Sequence, residues 1–224
     1  MMIAVLTCAH VGLLDVLLNF RHAAFRLAYR DRMIRRRQYM ESVQRFLTFR
    51  ACFDKIYIVE CVSRQAPLYL ERGNGVECAI SRNSLDSTNK GVNEFINVAN
   101  FLKKANLDGS QMVVKMTGRY LLERGSFLEF CGKSSADAVV RADSDVWGDK
   151  GKGVHTCLFA ARLHLIVGFA AWLLEGDRFK TFGATPIEWI FGDYLKNSCY
   201  SWINYAEKLH VQARYSELSR PVPL

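Results

Sequence analysis

The run Lys115-Met116-Thr117-Gly118-Arg119-Tyr120 gathers two cations, a hydroxyl and a glycine directly after the apolar residues Met112, Val113 and Val114. Such an apolar, β-branched run suits a strand covered on both faces, so the polar groups collect where that strand stops. In open α/β sheets ligands lie in the crevice beyond the carboxyl ends of the strands. Lys115 and Arg119 beside a permissive Gly118 would form an anion subsite there; an ordinary solvated turn is the competing reading. Asp143-Ser144-Asp145 has the D-x-D spacing that can hold a divalent cation bridging a diphosphate, although three-residue carboxylate spacings are also frequent in polar loops. Glu94 and Glu188 are the other carboxylates that could do chemistry, and both also have local explanations. Glu94 falls in the first turn of an expected helix, where its charge suits the dipole. Thr185-Pro186-Ile187-Glu188 has capping-box spacing, with Thr185 as N-cap, Pro186 at the first position and Glu188 at the third.

The elements that would position these groups can be read from periodicity. Ile3 to Leu6 reads as a first strand, with Thr7 to His10 as the loop at its carboxyl end. Residues 32–50 have helical spacing, with Ile34, Tyr39, Val43, Phe46 and Leu47 as a core stripe and the arginines largely off it. Residues 11–31 fit either an extension of that helix or a long loop. Ile56 to Val62 and Val76 to Ile80 read as strands, and a polar segment from Ser81 leads to Asn89, a candidate cap for a helix from Lys90 to about Ala105. A strand over 111–117, a short helix near Ser126 to Phe130, strands over Ala138 to Arg141 and Val154 to Ala160, a buried helix over Leu163 to Leu174 and a last helix to about Asn197 complete the order. Leu209 to Tyr215 alternates loosely as an edge strand, and residues 216–224 read as a loose tail. The pattern predicts one α/β domain of Rossmann-like type over residues 1–224, a mixed sheet flanked by helices.

Composition narrows the partners. The chain of 224 residues has a net charge of +8, and from Arg21 to Arg50 nine arginines face only Asp31 and Glu41. This basic helix is either a solvated face or a contact for anionic lipid or nucleic acid. Seven scattered cysteines without CxxC or zinc-ligand spacing read as reduced thiols, which predicts a cytoplasmic or cytosol-facing protein. The amino terminus lacks the basic region of a signal peptide, and Leu163 to Leu174 is too short to span a bilayer.

Taken in order, IYIVEC, NKGVNE, VVKMTGRY, DAVVRAD, HTCLF and TPIEWIF resemble a group of small bacterial and viral glycosyltransferases, over roughly residues 33–195. The resemblance implies the single-domain nucleotide-diphospho-sugar fold called GT-A, a nucleoside-diphosphate sugar as donor, and a glycan or lipid-linked acceptor in polysaccharide biosynthesis. It implies that Lys115, Arg119 and Lys90 stabilise the diphosphate, that Glu188 is the general base, and that Asp193 or Glu94 could substitute for it. Thr7, His10, Ser81 and Asn83 would shape the nucleotide pocket, with Asn89, Thr117, Gly118, Tyr120 and Arg141 also contacting substrate. GT-A enzymes carry a D-x-D pair after the central strand, and here that strand ends in Lys115 to Arg119 instead. Either the reaction is metal-independent, with Lys and Arg neutralising the leaving group, or Asp143 and Asp145 hold Mn²⁺ or Mg²⁺. The basic helix would keep the enzyme peripheral to an anionic membrane.

Two other classes compete. A catalytically silent nucleotide- or sugar-binding module is distinguished by binding without turnover. A nucleic-acid-binding protein would interleave exposed aromatics with its basic residues, whereas here the aromatics near the arginines sit at core spacing.

Overall fold

The computed structural model describes residues 2–8, 24–61, 70, 75–82, 85, 87–142, 153–213 and 222–223. Strands β1 (Met2–Cys8), β2 (Phe53–Glu60), β3 (Glu77–Ile80), β4 (Met112–Thr117), β6 (Ala138–Val140), β7 (Leu158–Arg162) and β8 (Trp202–Asn204) form one mixed sheet of order β3-β2-β1-β4-β7-β6-β8. The pairs β3-β2, β2-β1 and β1-β4 are parallel, and β7 runs antiparallel to both β4 and β6. A second sheet pairs β9 (Val211–Ala213) with β5 (Leu121–Leu122) on one side and β10 (Val222–Pro223) on the other.

Alternation along the strands divides the core. Ile3, Val5, Val113, Phe159 and Ala161 point to the face covered by α2 (Lys90–Lys104), α4 (Leu163–Leu174) and α5 (Ile187–Asn197). Ala4, Leu6, Val114, Met116 and Ala160 point to the other face, covered by α1 (Ala24–Leu47) and α3 (Ser126–Lys133). The mixed α/β layer expected from the sequence is therefore present.

Several boundaries differ from expectation for identifiable reasons. Helix α1 begins at Ala24, so residues 24–31 extend the basic helix, which ends at Leu47 before a 3₁₀ turn at Arg50–Cys52. The predicted strand from Val154 is displaced: Val154 makes only an isolated bridge to Ala142, and the strand proper starts at Leu158. Residues 154–157 pair with their neighbours only intermittently, through the Val154 bridge, the His155 amide donating to the Arg141 carbonyl at 2.8 Å and the Cys157 carbonyl accepting from the Thr117 amide at 2.8 Å. The expected edge strand near Leu209 is instead the middle strand of the small sheet, and Val222 and Pro223 of the expected loose tail pair with it. The arginines are not simply a solvated face. Arg45 donates to the Leu122 and Glu123 carbonyls at 3.2 and 2.8 Å, Arg50 to those of Phe53 and Asp54, and Arg37 pairs with Glu41 at 2.8 Å. None of the seven cysteines forms a disulfide. Among the described residues no helix is long and apolar enough to cross a membrane.

Gly118 serves close approach rather than an unusual dihedral. A Cβ there would lie 2.6 Å from the Thr7 carbonyl oxygen and 3.3 Å from the Tyr39 ring, and the Gly118 amide donates to that carbonyl at 2.8 Å. Gly118→Ala must therefore part β1 from the turn after β4. The expected cost is about 1–3 kcal/mol, as for other overpacked core sites, measured as a lowered denaturation midpoint with unchanged m-value.

Candidate active site

Register assembles the centre of the site. Parallel pairing sets Val5 opposite Lys115 and Thr7 opposite Thr117, so Thr7, Lys115 and Thr117 share the face beneath α2 at the carboxyl edge of the sheet. Glu94 stands one turn inside α2, not in its first turn, and reaches down to them. Its Oε1 accepts from Thr7 Oγ1 at 2.7 Å and lies 2.5 Å from Lys115 Nζ. The ammonium also donates to Thr117 Oγ1 at 3.1 Å and to the Thr156 carbonyl at 3.0 Å. An ammonium has three donors, and all three are engaged within the protein. Lys115 was expected to hold a diphosphate; with its side chain 6% exposed and its donors satisfied, it instead pins β4 to α2 and to the segment entering β7.

Because β7 runs against β4, its lead-in lies at the carboxyl edge of β4. The Thr117 amide donates to the Cys157 carbonyl at 2.8 Å. The Thr156 hydroxyl donates to Glu188 Oε1 at 2.7 Å. The expected capping box is thus not formed: Pro186 occupies the N-cap of α5 without a side-chain cap, and Glu188 turns to Thr156. A continuous path results, Thr7 to Glu94 to Lys115 to Thr156 to Glu188.

The amino termini of α2 and α5 meet above this path. Asn89 caps α2, its Oδ1 accepting from the Val92 amide at 3.2 Å, while its Nδ2 donates to the Gly183 and Thr185 carbonyls at 3.2 and 2.8 Å. A Cβ on Gly91 would fall 2.5 Å from Ile187 Cγ2, so glycine is what lets the two first turns touch. The result is an open cavity of about 720 Å³, walled by Asn89, Lys90, Glu94, Lys115, Thr117, Tyr120, Thr156, Cys157, the 183–187 segment and Glu188.

Burial pushes the Glu94 carboxyl up, but the Lys115 charge, hydrogen bonds from Lys115 and Thr7, and the nearby Arg119 charge outweigh it and hold the group below its ordinary value. Burial raises the Cys157 thiol to about 12, so it lines the cavity as a neutral group and not as a nucleophile.

Of the residues named from sequence, Thr7, Asn89, Lys90, Glu94, Lys115, Thr117, Tyr120 and Glu188 come together here. Gly118 lies below, and Arg119 sits near enough for its charge to reach Glu94 without lining the cavity. Asp193 is exposed on α5 and absent from the cavity wall, about 140° around the helix from Glu188. Arg141 donates to the Glu207 carbonyl at 2.7 Å, and the Ser81 hydroxyl to the Asn97 carbonyl at 2.6 Å, both away from the cavity wall. His10, Asn83, Asp143 and Asp145 lie outside the described residues. Among the described residues no cluster of three or more acidic, His or Cys side chains could hold a metal ion. Glu94 is also a poor cation ligand, since Lys115 already neutralises it. Thr156 and Gly91 were not anticipated; a lone hydroxyl within the apolar run VHTCLFA was the one available signal.

No family model matches the sequence, and no curated protein matches it. Solved structures do. A nucleoside-diphosphate-sugar pyrophosphorylase from Vibrio cholerae RC9 superposes with a TM-score of 0.54 at 9% identity, over 94% of each chain. The fold is of the nucleotide-diphospho-sugar transferase, GT-A-like type. The inositol-1-phosphate CTP transferase from T. maritima gives 0.52 at 11% identity, over 91% of this chain and 85% of that one. HddC from Yersinia pseudotuberculosis gives 0.50 at 11%, over 92% and 90%. At such identities the likeness concerns the fold.

Two measurements probe the ion pair. Lys115→Met leaves Glu94 without its cation; loss of a buried pair's partner costs about 3–5 kcal/mol. Because Glu94 is 31% exposed, the expected loss in urea unfolding is at the lower end of that range. For Glu94 the folded pKa is depressed, so its contribution is present above its unfolded value near 4.5 and is lost as pH falls through the folded value. Stability measured from pH 7 downward should therefore decline below about pH 4.5, and Glu94→Gln should remove that part of the decline.

Proposed function

We propose that the chain transfers a sugar from a nucleoside-diphosphate donor to a hydroxyl of a glycan or lipid-linked acceptor, with Glu188 as general base. The observation that carries this reading is the Glu188 carboxylate on the cavity wall, oriented through Oε1 by the Thr156 hydroxyl, while Oε2 has no partner among the described residues. An acceptor hydroxyl is scarcely ionised near neutral pH and needs a base within hydrogen-bond reach. Glu188 Oε2 takes that proton as the acceptor oxygen bonds to the anomeric carbon and the bond from that carbon to the diphosphate breaks. The nucleoside diphosphate departs with the bonding electrons. Lys90, exposed at the first position of α2 on the cavity wall, and the positive end of that helix face the developing anion, and the Arg119 charge acts on it from outside the wall. A divalent cation, if the reaction proves to need one, is assigned to Asp143 and Asp145, and no step above runs through it.

Nucleotidyl transfer is the second reading, favoured by the likeness to a pyrophosphorylase over 94% of both chains. Its nucleophile, a sugar-phosphate oxygen, is already ionised and has no use for a base. Two cations, Lys90 and Lys115, are also balanced on the cavity wall by Glu94 and Glu188, a poor setting for a triphosphate and a phosphate together. Both points favour glycosyl transfer.

The deciding experiment offers the protein nucleoside-diphosphate sugars with hydroxyl acceptors, and separately nucleoside triphosphates with sugar 1-phosphates, each with Mn²⁺, Mg²⁺ or EDTA. Glycoside formation from the first set is expected, and Glu188→Gln should lower kcat by about 10²–10⁴-fold. The nucleotide-dependent rise in Tm should survive that substitution. Pyrophosphate release from the second set alone would establish nucleotidyl transfer, and nucleotide binding without turnover in either would identify a silent module.

A further inference from the structure

Helix α1 is longer than the sheet it packs on. Phe46 stacks on Phe53, the first residue of β2, with ring centroids 5.1 Å apart. Seven residues earlier Tyr39 lies against Gly118, just past the last residue of β4. Between Tyr39 and Phe46 the helix thus descends from the carboxyl edge of the sheet to its amino edge, with Tyr39, Ser42, Val43 and Phe46 buried. From Tyr39 back to Ala24 it continues the other way, past the carboxyl edge, for about 22 Å at ~1.5 Å per residue. This is the edge on which the cavity opens. The Ser42 hydroxyl, which donates to the Tyr120 carbonyl at 2.5 Å, fixes the base of the projecting part to a residue of the cavity wall.

The projecting part has a distinctive chemistry. Residues 24–41 contain six arginines against Asp31 and Glu41, the latter paired with Arg37, which leaves a basic excess of four charges. None of residues 33–38 is buried; Met33 is 47% exposed, and Met40, two turns on, 39% exposed.

We propose that this arm docks on an anionic phospholipid bilayer and so presents the cavity mouth to the membrane surface. Basic charge alone would also suit a nucleic acid, but exposed methionines among arginines match an interface in which apolar side chains enter the acyl boundary while cations meet headgroups. The orientation of the cavity toward a lipid-linked acceptor rests on the glycosyl-transfer reading; the docking itself does not.

Co-sedimentation with phosphatidylcholine vesicles, with and without phosphatidylglycerol, tests the arm on the full chain. Binding is expected only to the anionic vesicles and weakens as salt rises. Combined Arg32→Glu, Arg36→Glu and Arg37→Glu should reduce it about tenfold or more, and combined Met33→Ser and Met40→Ser should reduce it further at high salt. Both variants should keep the wild-type Tm, which separates lost docking from lost folding. Equal binding to neutral vesicles, undiminished binding by the charge-reversed variant, or tighter binding to RNA than to vesicles would overturn the proposal. Vesicle binding without any glycosyl transfer would leave the docking intact and remove the transferase reading.

Discussion

The site depends on one ion pair, Lys115 with Glu94, made between a central strand and the helix above it. Removing such charges from water is costly, and the pair is tolerable only because every donor of the ammonium is met: by Glu94, by Thr117 and by the Thr156 carbonyl. That full satisfaction ties three separate parts of the chain to one nitrogen atom. Thr156 in turn orients Glu188. The carboxylate best placed for chemistry thus inherits its position from a lysine that itself has nothing left to offer a ligand.

The reversal of β7 makes this economy of parts available. In an all-parallel sheet the carboxyl edge is built from the residues that come after each strand. Here β7 opposes β4, so residues that precede it, Thr156 and Cys157, stand beside residues that close or succeed β4, Thr117 and Tyr120. The strand start at Leu158 belongs to the same arrangement, with the Thr156 carbonyl just ahead of it accepting from Lys115.

Much of the fold was legible in the amino-acid sequence because apolar patterning reports burial: the unbroken apolar runs of β1 and β4 and the helical stripe of α2 appear where expected. The two- and three-residue strands β5 and β8 carry too little pattern to be seen. At the site the residues were easier to name than their reasons. Lys115, Glu94 and Glu188 each had a local explanation, as part of a solvated turn, a dipole partner and a capping-box member. Each is instead held by a partner between 21 and 87 residues away in the chain. Asp193 shares a helix with Glu188 but not a face of it, a distinction that needs the helix start and its packing as well as its existence. Asn89 is the exception, a cap read correctly from its neighbours because capping is local.

Asn89 does more than end a helix. With one side chain it fastens the start of α2 to the loop that opens α5, and Gly91 lets Ile187 sit against the join. A wall closed in this way is held by the chain's own hydrogen bonds. Its dipoles and carboxylates need little rearrangement as charge moves during a reaction, so the reorganisation energy that water would demand is largely absent from this side of the cavity. Adaptation to differently shaped ligands then falls to the opposite rim, and variation among related chains in what they accept should be concentrated there.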